Sequence, residues 1–284
     1  MRGIKVCGTM ADKLRTRGYG TNEGGCINLS YEEALYLSER DFGTFSFENL
    51  FKEAASKLQD FDIRFFVYRD LRQRGYVVSV EKDRYLARKS YRMHFYPMSE
   101  NQKFDMDVAN SKELPFALAI VDGDGDITYY MVNREEPRGS NYENFTLKEH
   151  IIAGSRVFLI DSPEELGTYG KRESKFAYLS NNEARYLTGD EKIKVDESVY
   201  EVYADLRNRH LVVKSGFKYG THFRVYEKSL EEHSRYLVHV LSEPEDLQRL
   251  SRAVRVAHGV RKTLLLAKKK DRKVVYLSVR WIRP

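Results

Sequence analysis

Apolar positions along the chain change rhythm from strand-like runs to helical spacing in a recurring order. Phe116–Val121 and Ile127–Val132 are apolar runs of strand length. The turn between them, Asp122, Gly123, Asp124, Gly125 and Asp126, predicts a hairpin. Near the other end, Leu264–Ala267 and Val274–Ile282 predict an equivalent pair, with Lys268–Lys273 in place of the acidic turn. Further strands are predicted at Ile4–Cys7, Val157–Ile160 and Tyr236–Leu241. Helical spacing of three and four joins Phe47, Leu50, Phe51, Ala54, Ala55 and Leu58, and again Leu247, Leu250, Val254 and Ala257. Ser30 with Glu33, and Ser180 with Glu183, have the spacing of capping boxes at helix starts. Ser242 with Glu245 predicts a third, with Pro244 in the first turn, where a missing N–H costs nothing.

The order recurs because segments of the chain are written twice. Tyr68–Val78 returns as Tyr203–Val213 with seven of eleven positions identical at an offset of 135. Leu29–Leu37 returns as Leu179–Leu187 with six of nine identical at an offset of 150. Both earlier matches follow a Tyr-Gly pair, Tyr19-Gly20 and Tyr169-Gly170. A period near 140 exceeds the ~20–50 residues of solenoid repeats and predicts a domain duplication, joined near Glu135–Asn141. The change of offset puts 15 extra residues of the first copy in the helical stretch Phe42–Leu58. The expected fold is mixed α/β (α+β), as two tandem repeats. Each is a small N-terminal α+β subdomain (1–62; 145–197) followed by an α/β subdomain with a mixed sheet (63–136; 198–284).

Composition narrows the function. The 284 residues are 13% aromatic and 32% charged, against disorder, and no apolar run approaches the ~20 residues of a membrane span. With no signal-peptide core and only Cys7 and Cys26, which can form one bridge at most, the expectation is a cytoplasmic protein without a disulfide framework. The net charge is +6, and the last segment more than accounts for it: Arg249–Pro284 has twelve Lys or Arg against one acid, Asp271, so the rest of the chain is net acidic. Such density predicts a polyanion surface, and the neighbouring Tyr276 and Trp281 favour RNA, whose bases stack on rings and guanidinium planes.

Candidate chemistry gathers in the second copy. Arg252, Arg255, Gly259 and Lys262 fall at spacings of 3, 4 and 3, which predicts one cationic helix face open at Gly259. Tyr226 ends a strand-like run, His233 stands in a loop, and Lys262 equally suits the last turn of a helix. Spacing alone leaves these three as either packing residues or a site. The runs Val213–Tyr226, Glu232–Val240 and Val254–Ala267, in that order on a duplicated frame, resemble the archaeal tRNA-splicing endonuclease family. The resemblance also takes in Leu29–Leu37 and Tyr68–Val78, and its length matches the homodimeric two-repeat members.

That resemblance implies a tRNA-intron lyase. It cuts bulge–helix–bulge RNA in precursor tRNA at both splice sites, leaving 2′,3′-cyclic phosphate and 5′-OH ends, without metal or other cofactor. It implies Tyr226 as general base, His233 as general acid and Lys262 as clamp on the transition state. An imidazole titrating near ~6.5 suits proton donation at neutral pH, and a phenol near ~10 needs a cation nearby to serve as a base. It implies an arginine clamp on a bulge base, for which Arg255 and Arg280 are the candidates and Arg283 competes with Arg280. It also implies that Asp122, Asp124 and Asp126 dock into a basic cleft of the other subunit of a homodimer. The first copy has no counterpart of the triad and is expected not to cut, Leu114–Ala117 standing where the second copy has Val260–Leu266.

Two other readings compete. Asp161 with Glu173 and Lys175 forms the D…ExK pattern of metal-dependent nucleases. Alternatively the chain is a non-catalytic RNA-binding subunit, which retention of all three triad residue types in the second copy argues against. The turn Asp122–Asp126 lacks the glutamate a calcium loop needs.

Overall fold

The computed structural model describes residues 3–42, 45–143, 145, 147, 149–160 and 166–284. The chain begins with β1 (Ile4–Val6), α1 (Thr9–Thr16), β2 (Thr21–Glu23) and β3 (Cys26–Leu29), whose strands pair antiparallel in the order β1-β3-β2. Cys7 and Cys26 are joined by a disulfide that ties the end of β1 to β3. Helix α2 (Tyr31–Ser38) follows, and the predicted capping box forms: Glu33 N–H donates to Ser30 Oγ, and the Glu33 carboxylate accepts from Ser30 N–H and Gly20 N–H. Then come α3 (Phe47–Lys57) and α4 (Phe61–Gln73), α3 lying within the stretch predicted to be extra.

Next are β4 (Val77–Val80), β5 (Tyr85–Arg88), β6 (Arg92–Ser99), β7 (Lys103–Phe104), α5 (Met106–Ser111), β8 (Phe116–Val121) and β9 (Ile127–Glu135). The hairpin β8–β9 is the one the apolar runs predict. β9 continues past Val132 because its polar end still pairs with another strand.

The second half opens with β10 (Ile151–Ala153), β11 (Arg156–Ile160), β12 (Lys171–Arg172) and β13 (Phe176–Ser180), in the antiparallel order β10-β11-β13-β12. Helix α6 (Asn181–Thr188) starts at the second predicted capping box, Ser180 and Glu183, with Gly170 N–H again donating to the carboxylate. Helix α7 (Glu197–Asn208) leads into β14 (Val212–Ser215), β15 (Phe223–Tyr226), β16 (Tyr236–Val240), β17 (Glu245–Asp246), α8 (Leu247–Gly259), β18 (Thr263–Lys270) and β19 (Lys273–Ile282).

One ten-stranded sheet runs through the molecule, in the order β14-β15-β16-β18-β19-β9-β8-β6-β5-β4. Each half pairs its strands in the same senses, with one parallel pair each, β16–β18 and β6–β8. The halves meet where β19 lies antiparallel to β9, from Tyr276 opposite Glu135 to Ile282 opposite Tyr129. On one face α8 and α5 cover a core drawn from both halves, including Leu118, Tyr130, Leu250, Val254, Leu266 and Leu277. The other face packs on α4 in the first half and on α7 in the second.

The repeated Asp-Leu-Arg motif braces that second face. Tyr129 Oη donates to Asp70 and Tyr276 Oη donates to Asp205. Arg74 and Arg209 hold the same carboxylates from one helical turn on. Burial, then the neighbouring Asp205 carboxylate, pushes the Tyr276 hydroxyl far above its ordinary range. The expectation that Tyr276 offers a ring to RNA therefore fails: it is 1% exposed and braces α7.

The third predicted capping box does not form. Asp246 is the N-cap of α8, and Glu245 instead pairs in β17 with Phe104 of β7 and sets its carboxylate 3.1 Å from His239 Nε2. Among the described residues, no helix is long and apolar enough to cross a membrane.

Candidate active site

Three backbone segments meet at one end of the second half's strands. Arg235 N–H donates to Val225 O at 2.9 Å, and Thr263 N–H donates to Arg235 O at 3.1 Å. Val225, Tyr236 and Thr263 thus lie in one row across β15, β16 and β18. Tyr226 is one residue beyond that row, Lys262 one residue before it, and His233 lies two residues before Arg235. With strands about 4.8 Å apart, the Tyr226 and Lys262 backbones stand roughly 10 Å from each other.

Alternation fixes which way they point. Phe223, Val225, Leu265 and Ala267 belong to the core under α7, and Leu264 and Leu266 to the core under α8. Side chains in register on neighbouring strands share a face. Tyr226 and Lys262 therefore both fall on the α8 side.

Lys262 is not on the cationic helix face that its spacing suggests. Helix α8 ends at Gly259, and Arg261 takes a left-handed φ of 56° that turns the chain into β18. The reversal aims the Lys262 ammonium at Ser234 O, 2.7 Å away and one residue from His233. Tyr226 is 7% exposed, Lys262 is half-buried and His233 is exposed. Arg224, on the same face, sets its guanidinium 5.9 Å from the Tyr226 ring centroid. Gly259 is exposed with open space where a Cβ would stand.

The link between the halves runs beside Tyr226. Gly139 N–H donates to Arg209 O, Ser140 N–H to Glu227 O and Asn141 N–H to His210 O. A Cβ on Gly139 would stand 2.2 Å from His210 O and 2.5 Å from Glu227 O, so only glycine lets the link pass.

The equivalent end of the first half has the same register and different residues. Arg88 pairs with Val77 as Tyr226 pairs with Val212. Leu114 stands two residues before Phe116, which lies opposite His94, as Lys262 stands two before Leu264, opposite Leu237. The hairpin Arg88–Arg92 is too short to hold a counterpart of the 227–235 loop.

The candidate arginines divide between the faces of the sheet. Arg255 is exposed on α8. Arg280 alternates onto the α7 side of β19, and its guanidinium reaches the Glu135 carboxylate at 3.3 Å. Arg255 and Arg280 thus start from opposite faces of the sheet. Arg283 lies 4.8 Å over the Trp281 ring, whose other neighbour is His258 of α8 at 5.7 Å. Trp281 and Arg283 are each candidates from the sequence, but their grouping with His258 was not read, although the alternation of Leu277 and Val279 against Tyr276 and Ser278 was there to place them on one face.

Asp122, Asp124 and Asp126 are exposed at the β8–β9 hairpin. The Asp122 carboxylate is occupied within the turn, accepting from Asp124 N–H and Asp126 N–H. A cleft of about 530 Å³ between β13, α6 and the sheet is lined by Arg156, Lys171, Lys214, His222 and Arg224. At its floor Lys214 Nζ donates to Glu183 Oε1 at 2.8 Å. Burial alone would raise the Glu183 pKa, but Lys214 and the Ser180 and Gly170 amides bring it below the ordinary value. His222, whose Nδ1 accepts from Val240 N–H, is held below its usual range by burial and by His239 beside it.

Asp161 lies outside the described residues. Glu173 pairs with Lys171 at 2.8 Å. No group of three or more metal-ligating side chains occurs among the described residues.

Tyr226, Lys262 and the loop that carries His233 thus stand at one end of the strands of a mixed sheet, and comparison with known proteins supplies the class. Residues 197–276 match the family model described as tRNA intron endonuclease, catalytic C-terminal domain. The chain is 32% identical to a tRNA-splicing endonuclease of Methanosarcina mazei, over 95% of this chain and 93% of that protein. It is 32% identical to one of Thermoplasma volcanium, over 92% and 88%. A third, from Thermococcus gammatolerans, is 39% identical, with 96% of its length matched by 46% of this chain. The chain belongs to the tRNA-splicing endonuclease family.

Proposed function

We propose that the chain excises introns from precursor tRNA by cutting bulge–helix–bulge RNA at both splice sites, as a metal-independent tRNA-intron lyase. The RNA supplies the nucleophile, the 2′-OH beside the scissile phosphate. Tyr226, as phenolate, takes the 2′-OH proton while the 2′ oxygen bonds to phosphorus. The bond from phosphorus to the 5′ oxygen breaks, and protonated His233 delivers its proton to that oxygen. The products are a 2′,3′-cyclic phosphate and a 5′-OH end. Lys262 holds the added negative charge; a unit charge ~4 Å from a phosphoryl oxygen is worth up to ~4 kcal/mol at an effective dielectric near 20.

The observation that carries this reading is the backbone row that sets Tyr226 and Lys262 on one face, with the lysine ammonium on the carbonyl next to His233. On that face Arg255 with Arg283 is better placed than Arg255 with Arg280 to hold a bulged base. Bulged bases suit such recognition, since an A-form major groove is too deep to read.

The same reading makes the chain a tandem duplicate, divided at 1–62, 63–136, 145–197 and 198–284, with a first copy that does not cut. The equal strand orders and the Thermococcus relative, 96% of which is matched by 46% of this chain, support it. Two chains form a homodimer, the acidic hairpin of one entering the basic cleft of the other. Exchanging Asp122, Asp124 and Asp126 for Asn is expected to loosen that dimer in a salt-sensitive way. An unchanged sedimentation profile would remove this docking mode.

End-group analysis of a bulge–helix–bulge transcript cleaved in EDTA tests the chemistry. Cyclic-phosphate and 5′-OH ends are expected. Loss of cutting in EDTA would favour the metal-dependent reading, and no cutting under any condition would favour a non-catalytic subunit.

A further inference from the structure

The outward face of the β10–β13 sheet is apolar where a lone chain has nothing to gain from it. Ile151, Phe158 and Tyr178 lie in one cross-strand row, and Phe176 follows on the same face of β13. The inward positions Val157, Leu159, Ala177 and Leu179 already fill the core beneath. Ile151 is 54% exposed. The three rings sit with centroids 6.0 to 6.4 Å apart and are only part-covered. The corresponding β1–β3 sheet of the first half turns Lys5, Asn28 and Thr21 outward in its equivalent row. The apolar face is thus a feature of the second half alone. Its rim is basic: Arg156 lies over the Tyr178 ring, and Arg156 and Lys171 also line the 530 Å³ cleft, so face and cleft are continuous.

The first half carries a surface of matching character. Helix α3, which has no equivalent in the second half, leaves Phe47 38% exposed and Phe51 39% exposed. Their rings continue through Phe61 and Phe65 to Phe66. Phe66 lies 3.5 Å from where a Cβ of Gly125 would stand, at the tip of the acidic hairpin. The exposed Phe47 and Phe51 are thus linked to the exposed carboxylates of the hairpin through the buried Phe61 and Phe65 and the part-buried Phe66, and on the other half part-covered rings adjoin cations.

We propose that these two edges meet between two copies of the chain, the α3 and hairpin edge of one covering the β10–β13 face of the other, twice in a symmetric dimer. This rests on the homodimer reading and extends it: the aspartates supply long-range, salt-screened attraction, and the rings supply the buried contact that holds. The matching of both charge and apolar character favours a second copy over RNA. RNA would use the cations and the rings but leave Phe47 and Phe51 without a role.

Sedimentation of the full chain, with melting by circular dichroism as a folding control, tests the proposal. Phe47→Asp and Phe158→Asp are each expected to raise the dimer dissociation constant at least about 30-fold at every salt concentration, as removal of a central interface anchor does. Ile151→Asp, at a position outside the core, provides the same reading should Phe158→Asp fail to fold. Phe47→Cys chains mixed with Ile151→Cys chains are expected to form a disulfide between different chains. A monomeric wild-type chain would overturn the homodimer reading itself. A dimeric wild type whose Ile151→Asp and Phe47→Asp variants stay dimeric would overturn this interface alone. Weakened RNA binding with an intact dimer would assign the face to RNA and also overturn it.

Discussion

Glu33 and Glu183 occupy the same place in the two halves, cap the same helix and accept from the same glycine and serine amides. Their surroundings differ at the residue before, Glu32 against Asn182, and at one strand position. The second half has Lys214 there, donating to Glu183; the first has Ser79, beside a cleft of about 330 Å³. Burial raises the pKa of Glu33 in spite of its two amide partners, whereas the lysine brings that of Glu183 down. The two halves keep the same hydrogen bonds here and differ in their charges. The same holds at the strand ends, where Tyr226 and Lys262 face Arg88 and Leu114 across an otherwise equal register.

The sharpest way to break the comparison is catalytic. His233→Ala is expected to slow single-turnover cleavage of an end-labelled transcript by about 10²–10⁴-fold while RNA binding persists. Leu114→Lys in the first half should leave the rate unchanged. Equal rates for His233→Ala and wild type would mean the proton donor is another group.

Stability separates the halves next. Glu183→Gln takes the counter-ion from a part-buried ammonium that keeps only the Gly170 carbonyl, and denaturant unfolding should show a loss of about 1.5–3 kcal/mol, the range of a hydrogen bond to a charged group. Glu33→Gln removes a carboxylate with no lysine partner and should cost no more than about 1 kcal/mol, within the net worth of one hydrogen bond. Comparable losses would show that the lysine is not what distinguishes the two sites.

The pH dependence has opposite signs. The lowered pKa of Glu183 means its contribution is fully present above the ordinary glutamate value of 4.5 and is lost as pH falls through the lower folded value. The raised pKa of Glu33 means its contribution is fully present below 4.5 and is lost as pH rises through the higher folded value. Melting curves of Glu33→Gln should therefore lack a decline seen in wild type above pH 4.5, and those of Glu183→Gln should lack a loss below it. The smallest effect expected is from Ser79→Lys, which gives Glu33 a counter-ion. Its gain, read in the same melts, should stay within about 1 kcal/mol, since ordering a lysine offsets most of the new bond.

Much of this was legible in the chain, and the failures share a cause. Ser30–Glu33 and Ser180–Glu183 were readable because a capping box is local, and the β8–β9 hairpin because its turn is. Ser242–Glu245 had the same spacing, but a distant strand, β7, claimed Glu245 for pairing. Lys262 looked helical until a left-handed residue at Arg261 ended the helix early. Tyr276 looked available because its partner Asp205 is 71 residues away. Of the candidate site, residue types and order were visible, but the face of the sheet was not used. That choice of face separates Arg280 from Arg283.

The seam between β9 and β19 makes each half an incomplete object. Either one produced by itself would present a raw row of amide and carbonyl groups, flanked by the Leu118, Tyr130 and Leu277 side of a divided core. Such an orphan has two refuges, its missing sibling or another orphan. The two halves made as separate polypeptides should therefore find each other and restore the whole, and a half left without its mate should pair with itself.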